Sequence, residues 1–235
     1  MTRREQALEH HKQVLENDFG HINYSVDSSC IYNNTDIVKP CICIKETDCL
    51  SGAINMSNQY DESMITILNF ASFTQPGGGY IQGAMAQEES LCSESNLYEI
   101  LSDERFDEYY KYNQKHKNNG LYHDRAIFTP DVRFTRSDVD YYFNVLTCAA
   151  PNYNSAKAHG YSDEEIIETY ENRMRFIYNV LHKEQQGVLI TGLWGCGVFG
   201  YPRELGIKAW EENANIDTLI CIPKNHKTFN KRSNE

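Results

Sequence analysis

Positive charge is what this 235-residue chain is short of: 22 Lys and Arg stand against 33 Asp and Glu, a formal net charge of −11. Broad affinity for nucleic acid needs basic side chains to neutralise phosphates, so no strong general nucleic-acid binding is expected. No apolar run is long enough to span a bilayer, and the opening Met-Thr-Arg-Arg-Glu-Gln has no apolar signal core. A cytoplasmic protein with no membrane partner is expected. The eight cysteines include no CxxC pair, and no His/Cys/Asp cluster has metal-ligand spacing. Small buried thiols in a reducing compartment are therefore expected, not disulfides or a metal site. Nothing resembles an internal repeat, a low-complexity tract or a mid-chain linker. Residues 1–235 read as a single domain, with a helical segment over about residues 1–20 and a polar tail over 224–235.

What is present is concentrated in residues 64–101. The apolar run Met64 to Phe70 reads as a buried strand. Pro76 ends regular structure, and Gly77, Gly78 and Gly79 give a bare backbone that a ligand can approach closely. A helix is expected to open on Gln87-Glu88-Glu89 and to carry Leu91, Tyr98 and Leu101 at helical spacing. Strand, bare loop, and helix start with two acids is the layout of a polar-ligand site at a strand's C-terminal end. Consecutive helical residues point about 100° apart, so one acid can face a reacting carbon while the other holds sugar hydroxyls. The helix N-terminus favours their charged forms, whereas each neighbouring carboxylate and desolvation favour the protonated forms. Dipole-favoured surface acids are the plain structural alternative.

A second glycine cluster, Gly192, Gly195, Gly197 and Gly200, follows the apolar run Val188 to Leu193. Dense glycine there turns backbone amides toward a common centre that can take an anion. No Lys-Ser/Thr follows, so this is not a nucleoside-triphosphate loop, and its late position does not fit a dinucleotide fingerprint. Cys196 has no nearby His to activate it and reads as a small residue offering its amide. Phe199 either faces a ligand or turns inward to plug the core.

The order Gly-Gly-Gly, seven residues, Gln-Glu-Glu resembles the signature of poly(ADP-ribose) glycohydrolases. Asn69-Phe70-Ala71-Ser72 and Pro76 resemble the compact microbial type. Thr147-Cys148-Ala149-Ala150-Pro151-Asn152 and Trp194-Gly195-Cys196-Gly197-Val198-Phe199-Gly200 agree with it, so the resemblance spans roughly residues 40–223. It implies an α/β fold: a macrodomain-like three-layer α/β/α sandwich with a mixed, mostly parallel central sheet. It implies hydrolysis of ribose–ribose O-glycosidic bonds in poly(ADP-ribose). Glu89 is the implied acid/base and Glu88 contacts ribose. Asn69, Gly77, Gly78, Gly79 and Gln87 surround the distal ribose, while Gly195, Cys196, Gly197, Val198 and Phe199 hold the diphosphate and that ribose. Asp48, where a strand hands over to a helix, matches a macrodomain acid that accepts from the adenine amino group; helix capping is its plain alternative. No cofactor or metal is implied. The partner is ADP-ribose or poly(ADP-ribose) on a modified macromolecule, the chain acting as a monomer. Its acidity argues for capture of a terminal unit, hence exo-type cleavage. A mono-ADP-ribosyl hydrolase and a non-catalytic ADP-ribose reader stay open as alternatives.

Around these motifs the pattern predicts a helix over 2–17 capped by Thr2 with a thin apolar stripe of Leu8 and Leu15. It predicts an edge strand within Ile22 to Tyr32 and a central strand at Cys41-Ile42-Cys43-Ile44. Further strands are expected over Ala126–Phe134, Tyr141–Ala150 and Thr218–Ile222, about six in all. Helices are expected from Ser162, through a capping box with Glu165, and from about Pro202 to Glu212.

Overall fold

The computed structural model describes residues 1–32 and 42–224. Thr2 caps the first helix, α1 (Arg3–Asn17), by a reciprocal box with Glu5. Then come α2 (Phe19–Ser28), β1 (Cys30–Tyr32), β2 (Ile42–Lys45), α3 (Cys49–Met56) and β3 (Ile65–Phe70). The signature glycines lead into α4 (Gln87–Ser93), α5 (Leu97–Leu101) and α6 (Asp107–Lys115). A long hairpin of β4 (Ala126–Arg136) and β5 (Val139–Cys148) precedes α7 (Tyr153–Ala158) and the 21-residue α8 (Asp163–Lys183). The chain closes with β6 (Val188–Gly192), α9 (Arg203–Asn213) and β7 (Asp217–Cys221).

The seven strands form one sheet in the order β1-β4-β5-β3-β6-β7-β2. β1/β4 and β4/β5 are antiparallel; the other four pairings are parallel. Alternation along each strand feeds two separate cores. Ile67, Val145, Ile190 and Leu219 face one of them, with Leu50, Leu91, Leu97 and Phe106 from α3 to α6 and its flanking turn. Their neighbours Leu68, Leu146, Leu189 and Ile220 face the other, with Ile166, Tyr170, Ile177, Leu181 and Trp210 from α8 and α9. Helices on both faces of a largely parallel sheet make the three-layer sandwich that the sequence implied.

Several local expectations are corrected. Most of 22–32 is helix: α2 buries Ile22, Ser25 and Val26, a helical spacing, and only its last residues form the edge strand. β2 is an edge strand paired with β7 alone, and Cys43 and Ile44 are exposed, so it is not central; Cys41 lies outside the described residues. The exposed thiols Cys30 and Cys43 likewise depart from the expected burial. On α1, Leu8 and Leu15 face solvent, and the docking face is instead Ala7, which is buried, with Val14 packed on the core. The helix expected over 87–101 is two helices. The polar run Glu94-Ser95-Asn96 breaks it, with Ser95 bridging Phe134 and the Asn96 N–H donating to the Arg133 carbonyl.

Beneath the C-terminal ends of the strands, α8 contributes Arg173, 1% exposed. Its guanidinium grips Asp124 and donates to the carbonyls of Ala149 (3.0 Å) and Leu121 (3.1 Å). One cation thus ties the end of β5 to the 121–125 turn. Arg173→Ala orphans two carbonyls and a carboxylate, so it should lower folding stability by about 3 kcal/mol. Urea unfolding checks this; a loss within experimental error would contradict it.

Candidate active site

β3 and β6 are parallel neighbours in the sheet. The loops after Phe70 and after Gly192 therefore leave the same end of the sheet from adjacent strands. They are close enough that a Cβ on Gly192 would lie 3.3 Å from the Phe70 ring. The two glycine clusters, more than a hundred residues apart in sequence, are brought together by strand order alone.

The acid pair sits under the first loop. Glu88 is 3% exposed and Glu89 8%. The Glu89 carboxylate accepts from the Gly79 N–H (2.8 Å, Oε1) and from the Ala86 N–H (3.0 Å, Oε2). It joins the helix start to the glycine turn. Glu88 points elsewhere: its Oε2 accepts from the Ser72 N–H (2.6 Å) and its Oε1 from Asn69 Nδ2 (3.2 Å). Burial pushes the Glu88 carboxyl up to about 8; bonds from Ser72 and Asn69 oppose this and the adjacent Glu89 adds to it. Gly78 takes φ +54°, and a Cβ there would meet Glu89 Oε1 at 2.6 Å and Glu88 Oε2 at 3.0 Å. The bare turn is thus required by both backbone conformation and the space the acids fill.

Three residues expected to touch ligand bond within the protein. Gln87 accepts from the Phe70 N–H (2.8 Å) and donates to the Leu68 carbonyl (2.8 Å), so its amide splices the helix start onto β3. Asn69 is fully buried; Nδ2 also donates to Thr147 Oγ1 (3.3 Å), and it supports Glu88 from below. Asp48 caps α3 through Ser51 and is ion-paired with Arg136 at 3.0 Å, which also holds Glu94.

In the second loop, the Cys196 N–H is spent on the Leu193 carbonyl (3.0 Å), which corrects the expectation that it offers an amide. Its thiol is pushed up to about 12, mainly by burial, as suits an inert packing group. The Gly197, Val198 and Phe199 amides have no partner among the described residues. Trp194 fixes the base of the loop: its indole donates to the Cys148 carbonyl (3.1 Å), and its own carbonyl accepts from Tyr170 OH (2.6 Å). Val198 is 84% exposed, and Phe199 is partly buried against the α8–α9 core, between its two expected placements.

Sequence reasoning missed the residue that connects the loops. Tyr122 stacks on Phe73, with centroids 4.2 Å apart, and meets Phe199 edge-on at 6.2 Å. It does so from a left-handed backbone, φ +60°, at the end of the Asn118-Asn119-Gly120 turn. The turn was legible from its Asn-Asn-Gly; a tyrosine beyond it at positive φ carries no local signal.

A family model described as the catalytic domain of microbial-type PARG, poly(ADP-ribose) glycohydrolase, matches residues 5–137. The chain belongs to that family. The match contains Glu88, Glu89 and the triple glycine but stops before the second loop. Solved structures extend the likeness. Poly(ADP-ribose) glycohydrolase from Thermomonospora curvata, bound to the inhibitor ADP-HPD, is 24% identical with a TM-score of 0.82, covering 97% of this chain and 95% of that one. The Deinococcus radiodurans enzyme in complex with ADP-ribose is 25% identical with a TM-score of 0.76, covering 87% and 91%. Among curated proteins none matches.

Two outcomes follow for this PARG. Gly78→Ala must displace the acids, and a misplacement near 1 Å should cost about 100-fold in kcat; steady-state kinetics on poly(ADP-ribose) measures it, and unchanged kcat would contradict it. Glu88 holds its proton more tightly folded than unfolded. Its contribution to stability is present at low pH and is lost as pH rises from the ordinary carboxyl range toward about 8. Glu88→Gln should therefore gain thermal stability relative to the parent across that rise. Parallel melting curves from pH 5 to 8 would show the carboxyl to be unperturbed.

Proposed function

We propose that this poly(ADP-ribose) glycohydrolase removes terminal ADP-ribose units, with Glu89 as the group that moves the proton. In this reading the terminal diphosphate lies on the Gly197, Val198 and Phe199 amides, and the distal ribose lies between Phe199 and Gly77 to Gly79. Glu89 protonates the leaving ribose oxygen as the anomeric carbon gains oxocarbenium character. The resulting carboxylate then activates water at the same carbon. Glu88, protonated over much of the neutral range, stabilises the loop that carries Ser72 and leaves the charge change to its neighbour. Gln87 and Asn69 act as positioning residues. The adenine contact of Asp48 rests on the resemblance alone.

The observation that carries the assignment is the division of labour in the acid pair. Glu88 is turned into the chain toward Asn69 and Ser72, whereas Glu89 accepts from one amide of the bare turn, Gly79, and one at the helix start, Ala86. Both acids border Gly78, but Glu89 alone joins the bare turn to the helix start. The acidity of the chain as a whole supports recognition of one anchored unit over grip on a long internal stretch.

Glu89→Gln and Glu89→Ala should each lower turnover of poly(ADP-ribose) by about a thousandfold. ADP-ribose should still bind, within a few-fold of the parent by calorimetry. Turnover retained in both variants would overturn the assignment. Product analysis decides the direction of attack: ADP-ribose alone should accumulate from the first time point, and early oligomers would mean internal cleavage.

A further inference from the structure

The chain is acidic, yet one segment beside the cleft is not. Residues 111–125 hold Lys111, Lys115, Lys117 and Arg125, with His116 and His123, against one acid, Asp124. Asp124 is already taken by Arg173, and Lys111 is paired with Asp107. Lys115, Lys117 and Arg125 have no carboxylate partner among the described residues. Arg105, Arg133, Arg136, Arg173 and Arg175 are each held by one or more carboxylates. Arg125 instead lies over the Tyr112 ring, 4.2 Å from its centroid, with its buried Nε unpartnered. His116 stacks on Tyr112 at 4.0 Å, and His123 meets it edge-on at 6.4 Å. Burial first, and then the charges of Arg173 and His116, hold His123 below its ordinary range. Tyr112, Lys115, His116 and Lys117 are exposed.

This surface adjoins the site. Gln114, on the last turn of α6, donates to the Thr74 carbonyl at 2.9 Å, two residues before Pro76 and the triple glycine. Tyr122, next to His123, stacks on Phe73 in the same loop. The basic and aromatic groups therefore flank the loop over the acids, whereas the diphosphate of the terminal unit is assigned to the 197–199 amides on the neighbouring strand's loop.

We infer that Lys115, Lys117 and Arg125, with the outer face of the His116 ring that Tyr112 backs, form a leaving-side subsite for the penultimate ADP-ribose unit of the polymer. That unit offers a diphosphate to the cations and an adenine to the His116 ring, and no other part of the proposed mechanism engages it. The inference rests on the poly(ADP-ribose) reading. It also reconciles a net charge of −11 with a polyanionic substrate: attraction is supplied locally, beside the cleft.

The test compares long poly(ADP-ribose) with an aryl ADP-riboside, whose phenol leaving group has neither diphosphate nor adenine. The double variant Lys115→Glu/Lys117→Glu should raise KM for polymer by about tenfold with kcat unchanged, and flatten the dependence of log KM on log salt by about one unit. Arg125→Met should raise KM for polymer in the same sense. Turnover of the aryl substrate and affinity for free ADP-ribose should stay within twofold of the parent. Equal change on both substrates, or no change on either, overturns the subsite. Single-stranded RNA that displaces polymer from the parent as well as polymer itself does would also overturn it, marking a general polyanion surface. A parent enzyme that turns over neither substrate defeats the glycohydrolase mechanism itself, a result separable from failure of the subsite.

Discussion

A carboxylate buried under a loop needs hydrogen-bond donors facing it, and in a loop of bare glycine those donors are backbone amides. The bridge from Gly79 and Ala86 to Glu89 meets that demand, and much of the site is arranged so that it can form. The triple glycine lets the chain fold back without side chains in the way. The first turn of α4 presents its free N–H groups and Glu89 at one place. Gln87 pins that turn to β3 by taking up the strand's loose N–H and C=O groups. Glu88 is kept from competing because Ser72 and Asn69 draw it inward. Remove any of these and the acid loses its fixed address.

The second loop depends on the first through the sheet. Strand order sets β6 beside β3, and Trp194 and Tyr170 fasten the loop base to β5 and α8. Arg173 then gathers the 121–125 turn onto the same end of the sheet, which delivers Tyr122 between Phe73 and Phe199. Two sets of contacts meet here, one of backbone amides and carboxylates, the other of stacked rings. The first suits the reacting sugar carbon and the second its outer surroundings.

Much of this was legible in the sequence. Capping chemistry announced α1 and α8, because Thr2 with Glu5 and Ser162 with Glu165 satisfy orphan amides locally. The glycine clusters marked both loops, since their spacing records backbone conformation directly. What failed was long-range. The burial of Asn69 and the use of Gln87 on β3 depend on packing partners that a local pattern does not name. Cys41 to Ile44 looked central because the run was apolar, although edge position is set by which strands pair. Tyr122 stands where a residue's position is chosen by the turn before it and its neighbour by a strand and a loop from elsewhere. The α2 stretch misled for a different reason: its buried residues have a helical spacing masked by interleaved polar and aromatic side chains.

The docking of α1 carries one more implication. His10 bonds Tyr80 OH at 2.7 Å, His11 bonds the buried Glu99 at 2.7 Å, and Gly83 lies so close to Arg4 that a Cβ would meet the Arg4 nitrogen at 2.9 Å. The terminal helix is thus clamped to the turn that directly follows the triple glycine. That turn lies directly over the acids: the Gly79 N–H donates to Glu89, which is 8% exposed. The placement of the turn beside Glu89 is therefore partly written into a helix outside the signature, through packing and not through any contact with the acids.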